Sequence, residues 1–140
     1  MLYSVLIYDS EAITMSRSQA EDDELVARHV RLQAKLVSEG KLGPVVRLMP
    51  TSAAVTVRQG RETVVTDGPF AETKEQLLGL YILDCPTLEE AIAAARQIGE
   101  ACGPLALEVR PIRWFRAGAD AEGAVVTAAD VESPPRAHVQ

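Results

Sequence analysis

Hydrophobic and polar positions recur along this chain with two periods, and the switches between them mark its elements. Residues 2–8, Leu-Tyr-Ser-Val-Leu-Ile-Tyr, are dense in β-formers and stop at Asp9-Ser10, which predicts a strand. After a loop to Ser18 the spacing becomes helical. Leu25, His29, Leu32 and Leu36 recur at i, i+4, i+7 and i+11, and Val26, Val30 and Val37 widen that stripe. Ser18 and Glu21 fit a capping box at its start, acidic residues fill its first turns, and Gly40 is placed to stop it. Residues 43–49 read as a second strand closed by Pro50. Residues 54–58 and 62–66 flank Gln59-Gly60-Arg61 and read as a hairpin. Residues 77–84 are an apolar run of strand length, closed by Asp84, Cys85 and Pro86. Thr87 and Glu90 give a second capping box, opening a helix that is expected to bury Leu88, Ile92, Ala95 and Ile98 and to end near Gly103-Pro104. In residues 105–113, Leu105, Leu107 and Val109 alternate with Ala106, Glu108 and Arg110, the pattern of a half-exposed antiparallel strand.

The order β-α-β-(hairpin)-β-α-β is the ferredoxin-like α+β plan with a hairpin inserted in its middle. Such a sheet carries helices on one face only. Its other face needs cover, and two sheets packed face to face would supply it, giving a homodimer of the dimeric α/β-barrel type. Residues 1–115 form the predicted domain. The remaining 116–140 are rich in alanine and glycine, reach Pro134-Pro135 without an amphipathic period, and read by composition as a disordered tail.

At 47% hydrophobic the chain can fill one core, but with 4% aromatics that core must be aliphatic and alanine-rich. A net charge of −6 argues against a nucleic-acid partner, since phosphate binding needs a basic surface. The apolar runs fall far short of a bilayer span, so no membrane partner is expected. The N-terminal residues lack a basic n-region and secretory signal, and the expected location is cytoplasmic, with reduced thiols at Cys85 and Cys102. No P-loop, GxGxxG, HExxH or GxSxG pattern occurs, and two histidines are too few for a conventional zinc site, so neither metal nor cofactor is expected.

The densest punctuation lies in Asp67-Gly68-Pro69-Phe70, just ahead of Ala71-Glu72-Thr73-Lys74-Glu75-Gln76 and the 77–84 strand. Asp67 starts a turn, Gly68 tolerates positive φ and Pro69 fixes φ, which places Phe70 to point inward as a core anchor on a pocket wall; the plainer alternative is a well-specified turn with solvated charges. The string DGPFAETKEQLLGLYILD resembles the signature of DGPF-domain proteins within the YCII-related family, and the resemblance extends over residues 1–115. It implies a ferredoxin-like domain that dimerises. It also implies an association with extracytoplasmic-function sigma factors for many members, and a dehydrochlorinase activity on a chlorinated hydroxyquinone for one relative.

His29 is the leading candidate for chemistry, because it interrupts an aliphatic stripe that should face the sheet. A core-edge histidine bonded to a carbonyl is the plainer alternative. The resemblance implies a His–acid pair, with the acid nine residues on at the end of the helix; here that place is Ser38, with Glu39 beside it. Asp67 is the alternative acid, able to fix the imidazole tautomer if its turn approaches the helix, and otherwise a turn former. Glu72 and Lys74 are candidates to orient an anionic or phenolic ligand, or else a surface ion pair. Tyr8 and Tyr81 sit on strands placed to line the same cavity, or else pack with wet hydroxyls. Two functional readings follow, beside a purely structural dimer with no pocket. One is a cofactor-free enzyme using His29 and Asp67 for elimination or isomerisation of a small phenolic, quinonoid or enolisable substrate. The other is a non-catalytic ligand-binding or regulatory protein.

Overall fold

A computed structural model describes residues 1–103 and 105–118 and the backbone of 126–127. Its elements in chain order are β1 (Leu2–Asp9), α1 (Glu11–Met15), α2 (Gln19–Ser38), β2 (Leu42–Arg47), a 3-10 turn at Thr51–Ala53, β3 (Val55–Arg58), β4 (Val64–Asp67), β5 (Gln76–Asp84), α3 (Leu88–Cys102), β6 (Ala106–Pro111), β7 (Trp114–Phe115) and β8 (Val126–Thr127). The main sheet has the order β2-β5-β1-β6 and every pairing in it is antiparallel. The fold is ferredoxin-like α+β, as the alternating pattern predicts, with β3 and β4 pairing separately as the inserted hairpin.

Register decides which residues meet the helices. Tyr3 lies opposite Leu83, Val5 opposite Tyr81, and Val109 opposite Val5, and these side chains join Leu32, Leu36, Ala91, Ala95 and Ile98 in one core. A one-residue slip would turn all of them to the other face. On that other face Leu6 meets Leu80 and Ser4 meets Ile82, all partly exposed.

The helix ends follow the capping chemistry. Ser18 accepts from the Glu21 N–H while the Glu21 carboxylate accepts from the Ser18 N–H, closing the box. At the other end Gly40 has φ +69°, the Gly40 N–H bonds to the Val37 carbonyl and Lys41 N–H to that of Leu36, a Schellman stop. Thr87 caps α3 through the Glu90 N–H, but the Glu90 side chain turns to Lys41 instead of completing the predicted box.

Three local expectations are corrected. The buried stripe of α3 runs through Ala91, Ala94, Ala95, Ile98 and Ala101, leaving Leu88 and Ile92 substantially exposed. Alanines on the inner face allow the helix to sit close to the sheet, and the larger residues are rotated outward. Within the loop before Ser18, a short helix forms, tied down where the Glu11 carboxylate accepts from the N–H and hydroxyl of Thr51 at 2.7 and 2.6 Å. Phe70 is not a core anchor: it is 74% exposed. Gly68 takes φ +89° and its N–H bonds to the Ala54 carbonyl, while Thr56 and Arg58 bond to the carbonyls of Gly68 and Phe70. These bonds fasten the turn to its own hairpin, so its ring is carried away from the sheet. Most of the predicted tail, 116–140, lies outside the described residues.

Candidate functional site

Where α2, β5 and the end of α3 converge, the chain leaves a cleft of about 760 Å³. Its walls are mostly apolar, including Leu25, Leu48, Met49 and Leu78. Gly79 forms part of the wall where β5 meets β2, and a Cβ there would run into the Val46 carbonyl, so close pairing at this edge requires glycine.

His29 projects from the inner side of α2 to the edge of this cleft and is half-buried. Its Nδ1 lies 2.6 Å from the hydroxyl of Tyr81, and the Gln33 amide donates to the same oxygen at 3.2 Å. Its Nε2 lies 3.1 Å from Cys102 Sγ at the last turn of α3. Neutral imidazole has one donor and one acceptor nitrogen, and both tautomers satisfy these contacts. With Nδ1–H donated to Tyr81, Nε2 is an acceptor; with the Tyr81 hydroxyl donating to Nδ1, Nε2 carries the proton.

Burial pushes the His29 pKa below its ordinary value, and the positive charges of Arg47 and Arg28 push the same way. Burial pushes Tyr81 up, opposed by the Gln33 hydrogen bond, and pushes the Cys102 thiol up to about 11. Three neutral groups therefore meet here at neutral pH. An imidazolium–thiolate pair, the arrangement of an activated cysteine nucleophile, is not favoured in this environment.

Residues 1–116 match the YCII-related domain. The chain belongs to the YCII-related family. It is 48% identical over 120 residues to an uncharacterized protein of Rhizobium meliloti (strain 1021), an alignment covering 84% of this chain and 97% of that protein.

Of the residues singled out from sequence in this YCII-related chain, the fold brings together His29 and Tyr81. Asp67 lies at the exposed end of β4, paired with Val55 in the hairpin, and does not line the cleft. Both His29 nitrogens have other partners. Glu72 and Lys74 are exposed beyond the same turn, and Tyr8 lies on the opposite face of β1 from Val5, across from Leu77. Glu39, the inherited alternative, is paired with Lys41 at 3.1 Å. Sequence reading missed Cys102 and Gln33. Cys102 carried a signal: it continues the inner face of α3 four residues after Ile98. Gln33 also carried one, lying four residues after His29 on α2. Among the described residues no cluster of His, Cys, Asp and Glu could hold a metal, and no helix is long and apolar enough to cross a membrane.

Proposed function

We propose that the cleft binds a small, largely apolar molecule and that His29 exchanges a proton with it, in an elimination or isomerisation of a phenolic, quinonoid or enolisable compound. The observation that carries this reading is a cleft-wall histidine kept neutral by burial and held from behind by the Tyr81 hydroxyl, which the Gln33 amide holds in turn. A base must be unprotonated at its working pH, and a lowered pKa secures that. In the tautomer with Nδ1–H on Tyr81, Nε2 is the acceptor, and it takes the proton from a ligand that displaces the Cys102 thiol from it. The resulting imidazolium returns that proton to another atom of the ligand or to water. Tyr81 and Gln33 position the ring and do not themselves react.

The test is deuterium incorporation from D₂O into a panel of enolisable acids, ketones and phenols, read by NMR. Exchange by the wild-type chain should fall by roughly 10²–10⁴-fold in His29→Gln, the usual span for a general base. Saturable binding without exchange in any compound would leave the second reading: a ligand-binding or regulatory protein, working beside an extracytoplasmic-function sigma factor as the resemblance implies. That reading is favoured by one observation, that among the described residues no carboxylate is bonded to His29 to stabilise the imidazolium.

The homodimer is proposed with the site. Among the described residues no helix lies over the half-exposed face bearing Leu6, Tyr8, Leu80 and Ile82, and a second copy of the sheet would cover it. Light scattering at micromolar concentration should return about twice the 15.1 kDa chain mass, and a clean monomer would remove the proposal.

A further inference from the structure

The cleft wall carries three side chains of fixed charge, Glu11, Arg17 and Arg47, and two of them are already satisfied. Glu11 is held by Thr51. Arg47 grips the Asp22 carboxylate in a fork, at 2.6 and 3.3 Å. Arg17 is different. It is partly buried between α1 and the start of α2, yet among the described residues its guanidinium has no hydrogen-bond acceptor and no carboxylate within ion-pair distance. Asp9, the one buried carboxylate at the near end of β1, is bonded to the Ser10 N–H at 2.8 Å. Arg17 also acts on the thiol of Cys102, where its charge favours the thiolate against the effect of burial.

A guanidinium that makes no hydrogen bond or close ion pair among the described residues, its charge reaching Asp22 and Cys102 only at longer range, is unexpected on a mostly apolar wall. Arginine presents a planar fork that matches a carboxylate, and such a pair is strengthened when apolar surface excludes water around it. The rest of the wall suits a ring-sized apolar body.

We infer that Arg17 is the anion-binding residue of the cleft and that the ligand is a small carboxylic acid with a ring-sized apolar body, its carboxylate on the Arg17 fork and its body along Leu25, Leu48 and Leu78 toward His29. This deepens the reading of the cleft as a binding site by giving the ligand a charge and an orientation. A phenol without a carboxylate would lack the anchor. Arg17 is a binding residue here, and His29 the group that meets the reacting atom.

The experiment is calorimetric titration of the full chain with benzoate and 2-naphthoate, and with their neutral isosteres benzamide and 2-naphthamide. The acids should bind more tightly than the amides by about tenfold or more, and added salt should narrow that gap. Arg17→Met should abolish the preference and Arg17→Lys should keep part of it. Circular dichroism melts confirm that the variants are folded. Equal binding of acid and amide, an unchanged preference in Arg17→Met, or no binding of either acid would overturn the assignment. Loss of the preference in Arg17→Met with no deuterium exchange in any compound would uphold the anion site while sinking the proton-transfer reading, so the two fail separately.

Discussion

The signature string has two halves, and they end in opposite circumstances. Its strand half, β5, runs through the centre of the sheet and delivers Tyr81 to the core with 1% of its surface exposed. Its turn half, Asp67 to Lys74, leaves the sheet with the β3–β4 hairpin and presents Phe70 and its charges to solvent. The difference arises in hydrogen bonding more than in residue type. β5 is bonded on both edges, to β1 and β2, whereas among the described residues Gly68 and Phe70 of the turn are bonded only to the hairpin segment, and Thr73 only to Glu75 and the Gln76 side chain. Local punctuation of equal strength therefore says how a turn is shaped, but the tertiary partner decides whether it is buried.

The largest effect that would break this contrast is on stability. Tyr81→Ala removes a buried ring and leaves His29 and Gln33 facing a void, and it should cost on the order of 3–5 kcal/mol in denaturant unfolding. Phe70→Ala, six residues before β5 begins its register with Asp9 at Gln76, should cost less than about 1 kcal/mol, as for an exposed position away from any packed feature. Similar losses at the two sites would mean that the turn is packed in solution, for instance against a second copy.

The parts of this molecule that are local in the chain were legible in its sequence. The Ser18–Glu21 box, the Gly40 stop, the β-former run of β1 and the alternation in β6 each depend on residues within a turn or a strand of one another. The site was legible only where a local rule marked a residue. His29 stood out because an imidazole interrupted a leucine stripe, and Tyr81 because it lies in an apolar strand. Cys102 meets His29 across a separation of 73 residues, and that contact depends on how closely α3 approaches the sheet. The alanines that set this approach look unremarkable beside Leu88 and Ile92, which drew the first half of the stripe off the buried face that Ala95 and Ile98 do occupy. Asp67 was drawn toward His29 for a similar reason: a turn beside a core strand was read as sharing that strand's surroundings, although residues 68–75 separate the two.

The smallest expected effect is the most discriminating, and it lies in the titration of His29. In the folded chain this pKa is lowered, first by burial and then by Arg47 and Arg28. The unfolded chain, with an ordinary value near ~6.5, therefore binds the proton more readily. Stability from this residue is fully present above that pH and declines as pH falls through it, until the folded form protonates as well. NMR titration of the ring protons, assigned with the His29→Gln variant, should place the folded value below the free one. Arg47→Met removes a nearby cation and should raise it. Asp67→Asn removes a charge on the exposed hairpin and should leave it where it was. A downward move in Asp67→Asn would mean that the hairpin carboxylate reaches the imidazole in solution. The turn half of the signature would then belong to the site after all, and the division between the two halves would not hold.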